Sequence, residues 1–226
     1  MIDTLFWSLL TFVAYMLSLM LYRRSGHRLV FLPVLVGTTL VVAALWITGT
    51  AYPVYAKATS ALRWLTGPAI IALAVPLYRQ AAWLRQAAWP LLASLVVGCL
   101  TAIVGTALLA RTLGASREFT LGLVSKSATM PIAMATAERV GGIPSLAAMS
   151  VVATGVLGTM LTVPLLKRVR IIDPAVTSFT LGLTAHAIGT ARAMQAHPQT
   201  VAFAALAMSM NGVATALAVG LMQHWL

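Results

Sequence analysis

Acidic residues are nearly missing from this chain: Asp3, Glu118, Glu138 and Asp173 are the only four in 226 residues. They lie far apart in the sequence. Paired-carboxylate acid–base catalysis therefore has no footing. Charge of either sign is scarce, at 8% of the chain against 60% hydrophobic residues. A soluble domain carries roughly 25% charged residues, so this sequence cannot clothe a water-facing surface. Cysteine occurs once, as Cys99 inside an apolar run, which excludes a disulfide within the chain and a thiolate metal site. Gly-x-Ser-x-Gly and His-Glu-x-x-His are absent, and Lys126-Ser127 lacks the glycines of a phosphate-binding loop. The expectation is a protein that is not an enzyme and holds no metal or cofactor.

What is present is apolar length. Stretches without Asp, Glu, Lys or Arg cover Thr4–Tyr22, Leu29–Ala56, Trp64–Tyr78, Gln86–Ala110, Val140–Leu166, Pro174–Ala191 and Ala193–Leu226. A spanning helix needs about 20 mostly apolar residues, so most of these can cross a bilayer. They are continuously apolar rather than alternating, which favours helices over a β-barrel. No Ser- or Gly-rich linker or charge block divides the chain. The sequence reads as one all-α integral membrane domain, 1–226, a polytopic bundle of about seven or eight segments. The start, "MIDTLFWSLL", has an acid and no basic region, so a cleaved signal peptide is not expected.

The net charge of +11 does not point to nucleic acid. Basic residues gather at the ends of apolar runs, as in Arg23, Arg24 and Arg28 and in Lys167, Arg168 and Arg170. That pattern suits cytoplasmic loops facing anionic lipid. The six tryptophans lie near segment ends, where amphipathic rings favour the interface. If both basic clusters face the cytoplasm, an even number of crossings separates them. Counting Leu29–Tyr52, Trp64–Tyr78, Gln86–Ala110, Phe119–Ala137 and Val140–Leu166 once each gives an odd number. Phe119–Ala137 is the natural exception, because it carries Lys126 and Pro131.

The stretch "SKSATMPIAMATAERV" concentrates polar groups where a plain span would be apolar. Pro131 removes a backbone donor and disfavours helix at Met130, while Ser125, Ser127 and Thr129 can satisfy freed backbone groups. A helix that breaks and restarts here would offer free N–H groups and a positive dipole end to an anion, with Lys126 adding a full charge. Such a break is tolerated only inside protein or beside a water-filled cavity. "TAHAIGTARAM" repeats the ingredients: Gly189 permits an irregular backbone, Thr190 can cap, and His186 and Arg192 are protonatable or cationic. Blander readings stand beside these. Lys126 can snorkel to an interface, Glu138–Arg139 reads as a local interfacial pair, and His186 reads equally as a packed histidine or a proton carrier. Asn211 reads as helix-to-helix glue.

Two ungapped echoes point to an internal repeat of the kind transporters use. "TGPAIIALAVPLYR" from Thr66 pairs with "TGVLGTMLTVPLLK" from Thr154, and "LGLVSKSATMPIAM" from Leu121 pairs with "LGLTAHAIGTARAM" from Leu181. Two broken or re-entrant segments near the midplane are what a carrier of an anionic solute requires.

"SKSATMPIAMATAERVGGIPSLAA", "AHAIGTARA", "TGTAYPVY" and "LTGPAIIALAVPLY" together resemble the LrgB/CidB family of bacterial membrane proteins across nearly the whole chain. Departures are small: Ser125 stands for a frequent proline, Ala128 for Val, Val140 for Ile, and Ala185 for the serine before His186. The resemblance implies two functions. One is a holin/antiholin-like role in murein hydrolase export and lysis, with a membrane partner of the LrgA/CidA type. The other is carriage of small carboxylates, as in a plastid glycolate/glycerate carrier and bacterial relatives tied to pyruvate uptake. The cationic broken segments favour a secondary transporter of small monocarboxylates in the bacterial inner membrane, with self-association open to it. The expected substrate site is Lys126, Ser127, Thr129, Pro131, Gly189, Thr190 and Arg192, with His186 as the proton-coupling candidate.

Overall fold

The computed structural model describes residues 2–26, 28–65, 68 and 71–226, and among them every regular element is helical. Contacts divide the chain into two compact units, Met1–Ala74 and Val75–Leu226, where the sequence reads as one domain. The first echo begins in part outside the described residues, at Thr66, Gly67, Ala69 and Ile70.

In the first unit α1 (Ile2–Arg24) packs along α2 (Pro33–Thr48), burying Trp7, Ala14, Ser18 and Tyr22. A left-handed Gly49 (φ 63°) ends α2, and the chain turns through 119° into α3 (Tyr52–Ala58). Tyr55 then reaches back to α1, with its ring edge-on to Trp7 at 5.6 Å and its hydroxyl 3.0 Å from the Thr11 hydroxyl. A short α4 (Ser60–Trp64) follows.

The second unit begins with two short helices, α5 (Ala74–Arg79, within the unit from Val75) and α6 (Ala81–Gln86). Its main elements are α7 (Ala88–Thr112), α8 (Arg117–Leu123), α9 (Met130–Val140), α10 (Pro144–Arg168), α11 (Pro174–Ala196) and α12 (Val201–Met222). Three helices here are long and apolar enough to cross a bilayer: α7, α10 and α12, the last counted from Pro198; α1 of the first unit is a fourth. Buried residues make up 56% of the span window of α12, against 22% for α7 and 33% for α10, so α12 is the central helix of this unit. Its far end is held by Arg111 and Arg117, which donate to the Trp225, Leu226 and Gln223 carbonyls. Trp89 and Trp225, beside the ends of α7 and α12, are about as exposed as side chains can be, as interfacial anchors require.

Phe119–Ala137 does not cross the unit as one rod. Helices of 7 and 11 residues are about 10 and 16 Å long, well short of a roughly 30 Å hydrocarbon core. The chain doubles back between them. A β-carbon on Gly142 would fall 2.7 Å from the Gly122 backbone nitrogen, and the Ser125 hydroxyl donates to the Ala133 carbonyl at 3.2 Å. The chain that leaves at Gly122 thus returns at Gly142, forming a re-entrant hairpin with its tip at residues 124–129. Glycines at both positions let the two backbones touch.

A second reversal lies inside α11. His186 adopts φ 40° and ψ −123°, a region that residues with a β-carbon rarely enter. Residues eight apart in a straight helix are about 12 Å apart along its axis. Here a β-carbon on Gly189 would instead run into the Leu181 carbonyl, and one on Gly182 into the Ala204 carbonyl of α12. The arm after His186 is therefore folded sharply back against the arm before it. In the register of the second echo, Gly122 coincides with Gly182 and Lys126 with His186. Each pair holds corresponding structural positions, a close-packed glycine followed by a residue at a tip.

Candidate functional site

The two tips meet at Asn211. This side chain sits at the midpoint of α12 and is 1% exposed. Its amide donates to the Ser127 carbonyl at 2.9 Å and to the Leu183 carbonyl at 3.1 Å. Both acceptors are backbone oxygens freed by the breaks, one in each hairpin. Asn211 is thus the glue that its place in an apolar run suggests, and it joins two interruptions rather than two regular helices.

A cavity of about 340 Å³ opens beside this junction, at the small end of ligand-site volumes. Its wall includes Ser127, Leu183, Thr184 and Asn211 from the tips and α12. The remainder comes from Gly98 and Ala102 near the midpoint of α7 and from Thr154, Leu157 and Gly158 near the midpoint of α10. Three span-length helices contribute their middles, so the cavity lies at the depth where a spanning bundle is farthest from water on both sides.

Lys126 is half-buried and outside the wall itself, next in sequence to Ser127 and bonded to Ala102, both of which line the cavity. Its ammonium donates to the Thr106 hydroxyl at 2.5 Å and lies 3.5 Å from the Ala102 carbonyl. The Thr106 hydroxyl in turn donates a hydrogen bond to that same carbonyl at 2.6 Å. Among the described residues no carboxylate pairs with Lys126, and the nearest acid in sequence to the second hairpin, Asp173, is occupied capping α11 through Ala175 N and Val176 N. A cation at this depth, partnered only by neutral oxygens, favours an anion.

The other expected residues are distributed around this core. Ser127 is in the wall. Thr129 is the extended residue before α9, and its carbonyl accepts from Ala133 N at 2.8 Å. Pro131 is in the first turn of α9, where a missing N–H costs nothing; Met130 consequently belongs to the helix, and the break falls ahead of it. In the second hairpin the irregular residue is His186, with Gly189 helical. The glycine is needed because it lacks a β-carbon, not because it bends. Thr190 donates to the His186 carbonyl at 2.8 Å, stitching the returning arm, and does not face the cavity. Arg192 is half-buried on that arm, outside the wall. His186 is 2% exposed; its ring is hydrogen-bonded to the Val151 backbone, while Nε2 reaches no partner among the described residues. Gly155 makes room for the ring, since a β-carbon there would lie 2.7 Å from His186 Cε1.

The family model described as the LrgB-like family matches residues 11–225. The chain belongs to the LrgB-like family. Both hairpins and the cavity wall fall within that match. Among its relatives is the "Uncharacterized protein YxaC" of Bacillus subtilis (strain 168), 34% identical over 210 residues, covering 92% of this chain and 87% of the relative. Others are the proteins named "Antiholin-like protein LrgB" of Bacillus mycoides (strain KBAB4) and Bacillus cereus (strain B4264), each 27% identical over 207 residues and covering 92% of this chain and 90% of the relative. No solved structure matches the chain.

For this LrgB-like chain, sequence reasoning missed Thr106, Thr154 and Thr184 as polar parts of the site. Threonine is common in apolar helices, and Thr106 and Thr184 each bond back to their own helix; only the packing shows that Thr154 and Thr184 line the cavity and that Thr106 meets Lys126. Position near the middle of a long apolar run is the one signal that could have singled them out.

Proposed function

We propose that this LrgB-like protein is a secondary carrier of small monocarboxylates of the glycolate, glycerate, lactate and pyruvate class in the plasma membrane. The observation that carries this reading is the meeting of two re-entrant tips at one cavity, level with the middles of α7, α10 and α12. Irregular backbone at such depth serves a solute path in membrane proteins. Lys126 supplies the countercharge, moving off Thr106 toward a carboxylate held beside Ser127. His186, at the tip of the other hairpin, carries a proton with the acid. Nothing in this cycle requires bond-making chemistry, so the protein acts as a carrier and not an enzyme.

A second reading has its own support. The relatives named antiholin-like suggest a protein that regulates lysis or hydrolase export with a membrane partner of the LrgA/CidA type. The comparisons speak for this reading more directly than for transport; the geometry of the tips speaks for transport. Purified protein in proteoliposomes separates them. The carrier reading predicts saturable uptake of radiolabelled lactate, lowered at least tenfold by Lys126→Ala while thermal unfolding of the variant stays near that of the parent. Leakage of unrelated solutes with no dependence on Lys126 would favour the antiholin-like reading.

A further inference from the structure

The two hairpins open at opposite ends of α12. At its C-terminal end, Leu121 and Val140, one on each arm of the first hairpin, pack in one cluster with Val219 and Leu226. Arg111 at the end of α7 and Arg117 at the start of α8 bond to carbonyls at that same end. At the N-terminal end, the Thr200 hydroxyl donates to the Pro174 carbonyl at 3.3 Å and lies 2.7 Å from the Ser178 hydroxyl, so the second hairpin starts there. The chain before α7 is at this end too, through Gln80 on the Gln199 carbonyl and the Trp83 ring 4.8 Å from that of Phe203. α7 therefore runs toward the C-terminal end of α12, and α10, which joins the first hairpin to the second, runs back. Each has 25 residues and is followed by a re-entrant hairpin. They form two copies of one arrangement in inverted topology.

The copies agree at the cavity. A single shift along the chain that sets Gly98 on Thr154 also sets Ala102 on Gly158 and Ser127 on Leu183, and all six line the wall. The same shift takes Thr106, which holds Lys126, to Thr162, whose hydroxyl lies 3.1 Å from that of Thr184. Each long helix thus bonds its own hairpin near the tip through one threonine. This shift is shorter than the one that pairs Lys126 with His186, so places in the fold correspond here rather than residue types.

We infer that the two hairpins are opposing gates on one solute path, and that Asn211 is the positioning residue that holds both. This rests on the carrier reading above. Each hairpin runs from its own end of a span-length helix to the cavity, so it fills the column between the cavity and one face of the membrane. A solute from that face reaches the wall once that tip draws back. Drawing back the first tip breaks only the Asn211 bond to the Ser127 carbonyl; drawing back the second breaks only the bond to the Leu183 carbonyl. The remaining bond keeps the opposite tip in place, and the path opens to one face at a time.

A membrane-impermeant maleimide tests this on the full chain carrying Cys99→Ala, in sealed membrane vesicles of each orientation. Arg139→Cys and Ile172→Cys place single thiols at exposed positions beside the necks of the first and second hairpins. They should react from opposite sides; reaction from the same side would overturn the inference without touching the cavity. Thr154→Cys places a thiol in the wall and should react slowly from both sides. Reaction from one side alone would leave one hairpin without a gating role and overturn it too. Adding Asn211→Leu removes both bonds and should raise the Thr154→Cys rate about tenfold from each side, the effect of one hydrogen bond lost at each tip. The rate is read on the monodisperse fraction after extraction, so loss of folded protein does not mimic it. An unchanged rate, or one raised from a single side, would contradict the role given to Asn211. Labelling reports access and not uptake. Absent lactate uptake would therefore remove the carrier reading on its own, while the labelling pattern decides the gates.

Discussion

The first hairpin breaks over residues 124–129, whereas the second breaks at His186 alone. In the first, the tip residues keep short turn bonds of their own, Lys126 N to the Leu123 carbonyl and Ala128 N to the Ser125 carbonyl, and no residue between 124 and 129 has positive φ. In the second, the helical bonding pattern resumes at once, and the reversal is concentrated in one residue with a disfavoured backbone. Concentrated strain persists only where the surroundings over-determine it, and such residues cluster at functional sites. Those surroundings are visible here. Thr190 bonds back to the His186 carbonyl and stitches the returning arm, Gly155 clears space for the ring, and Gly182 and Gly189 admit backbone carbonyls at contact distance. The first hairpin is thus an extended tip carrying a half-buried lysine, and the second is a tightly built corner. In the carrier reading proposed above, solute capture falls to Lys126, and the region around His186 serves as the frame.

The largest expected effect comes from attacking the corner. Gly189→Val pushes two methyl groups and their β-carbon into the Leu181 carbonyl, where backbone cannot give way. Overpacking usually costs about 1–3 kcal/mol, and this site should reach or exceed the top of that range. Size-exclusion chromatography in detergent, followed by thermal unfolding, should find little folded protein. Next in size is Gly155→Ala, whose methyl would meet His186 Cε1 and Ile188 Cδ1, each at 2.7 Å. With His186 enclosed, the loss should be about 1–3 kcal/mol in thermal unfolding, with uptake lowered further than the loss of folded protein explains. Lys126→Ala sharpens the contrast from the other side, since it should spare folding and remove uptake. The smallest effect is expected in the first unit. Thr11→Val deletes the bond to Tyr55 in the first unit and should cost about 0.5–1.5 kcal/mol, with lactate uptake per folded molecule unchanged.

Much of this was legible from residue types. Scarce charge and long apolar runs give an all-α membrane protein, and the odd crossing count singles out Phe119–Ala137, which the Gly122–Gly142 contact turns into a hairpin. Lys126 and Pro131 mark the first break because both are expensive in a plain span. The second break was one turn off. Glycine is the default residue for irregular backbone, so Gly189 drew the expectation, but close packing needed the glycine there and left the irregular dihedrals to His186. The cavity was not legible, because its wall draws single residues from the middles of separate helices. Asn211 shows the limit most clearly. A lone amide in an apolar run announces a buried hydrogen bond, but only tertiary structure reveals that its partners are two broken helices.

The central claim is that both tips meet beside Asn211 at one cavity. A short bifunctional thiol reagent tests it on Ser127→Cys with Thr184→Cys, in a chain where Cys99→Ala removes the native thiol. These two wall positions, one from each hairpin, should be bridged within a single molecule, detected by mass spectrometry of the digested protein. Cysteines that each react singly yet never bridge, or bridge only between molecules, would contradict it.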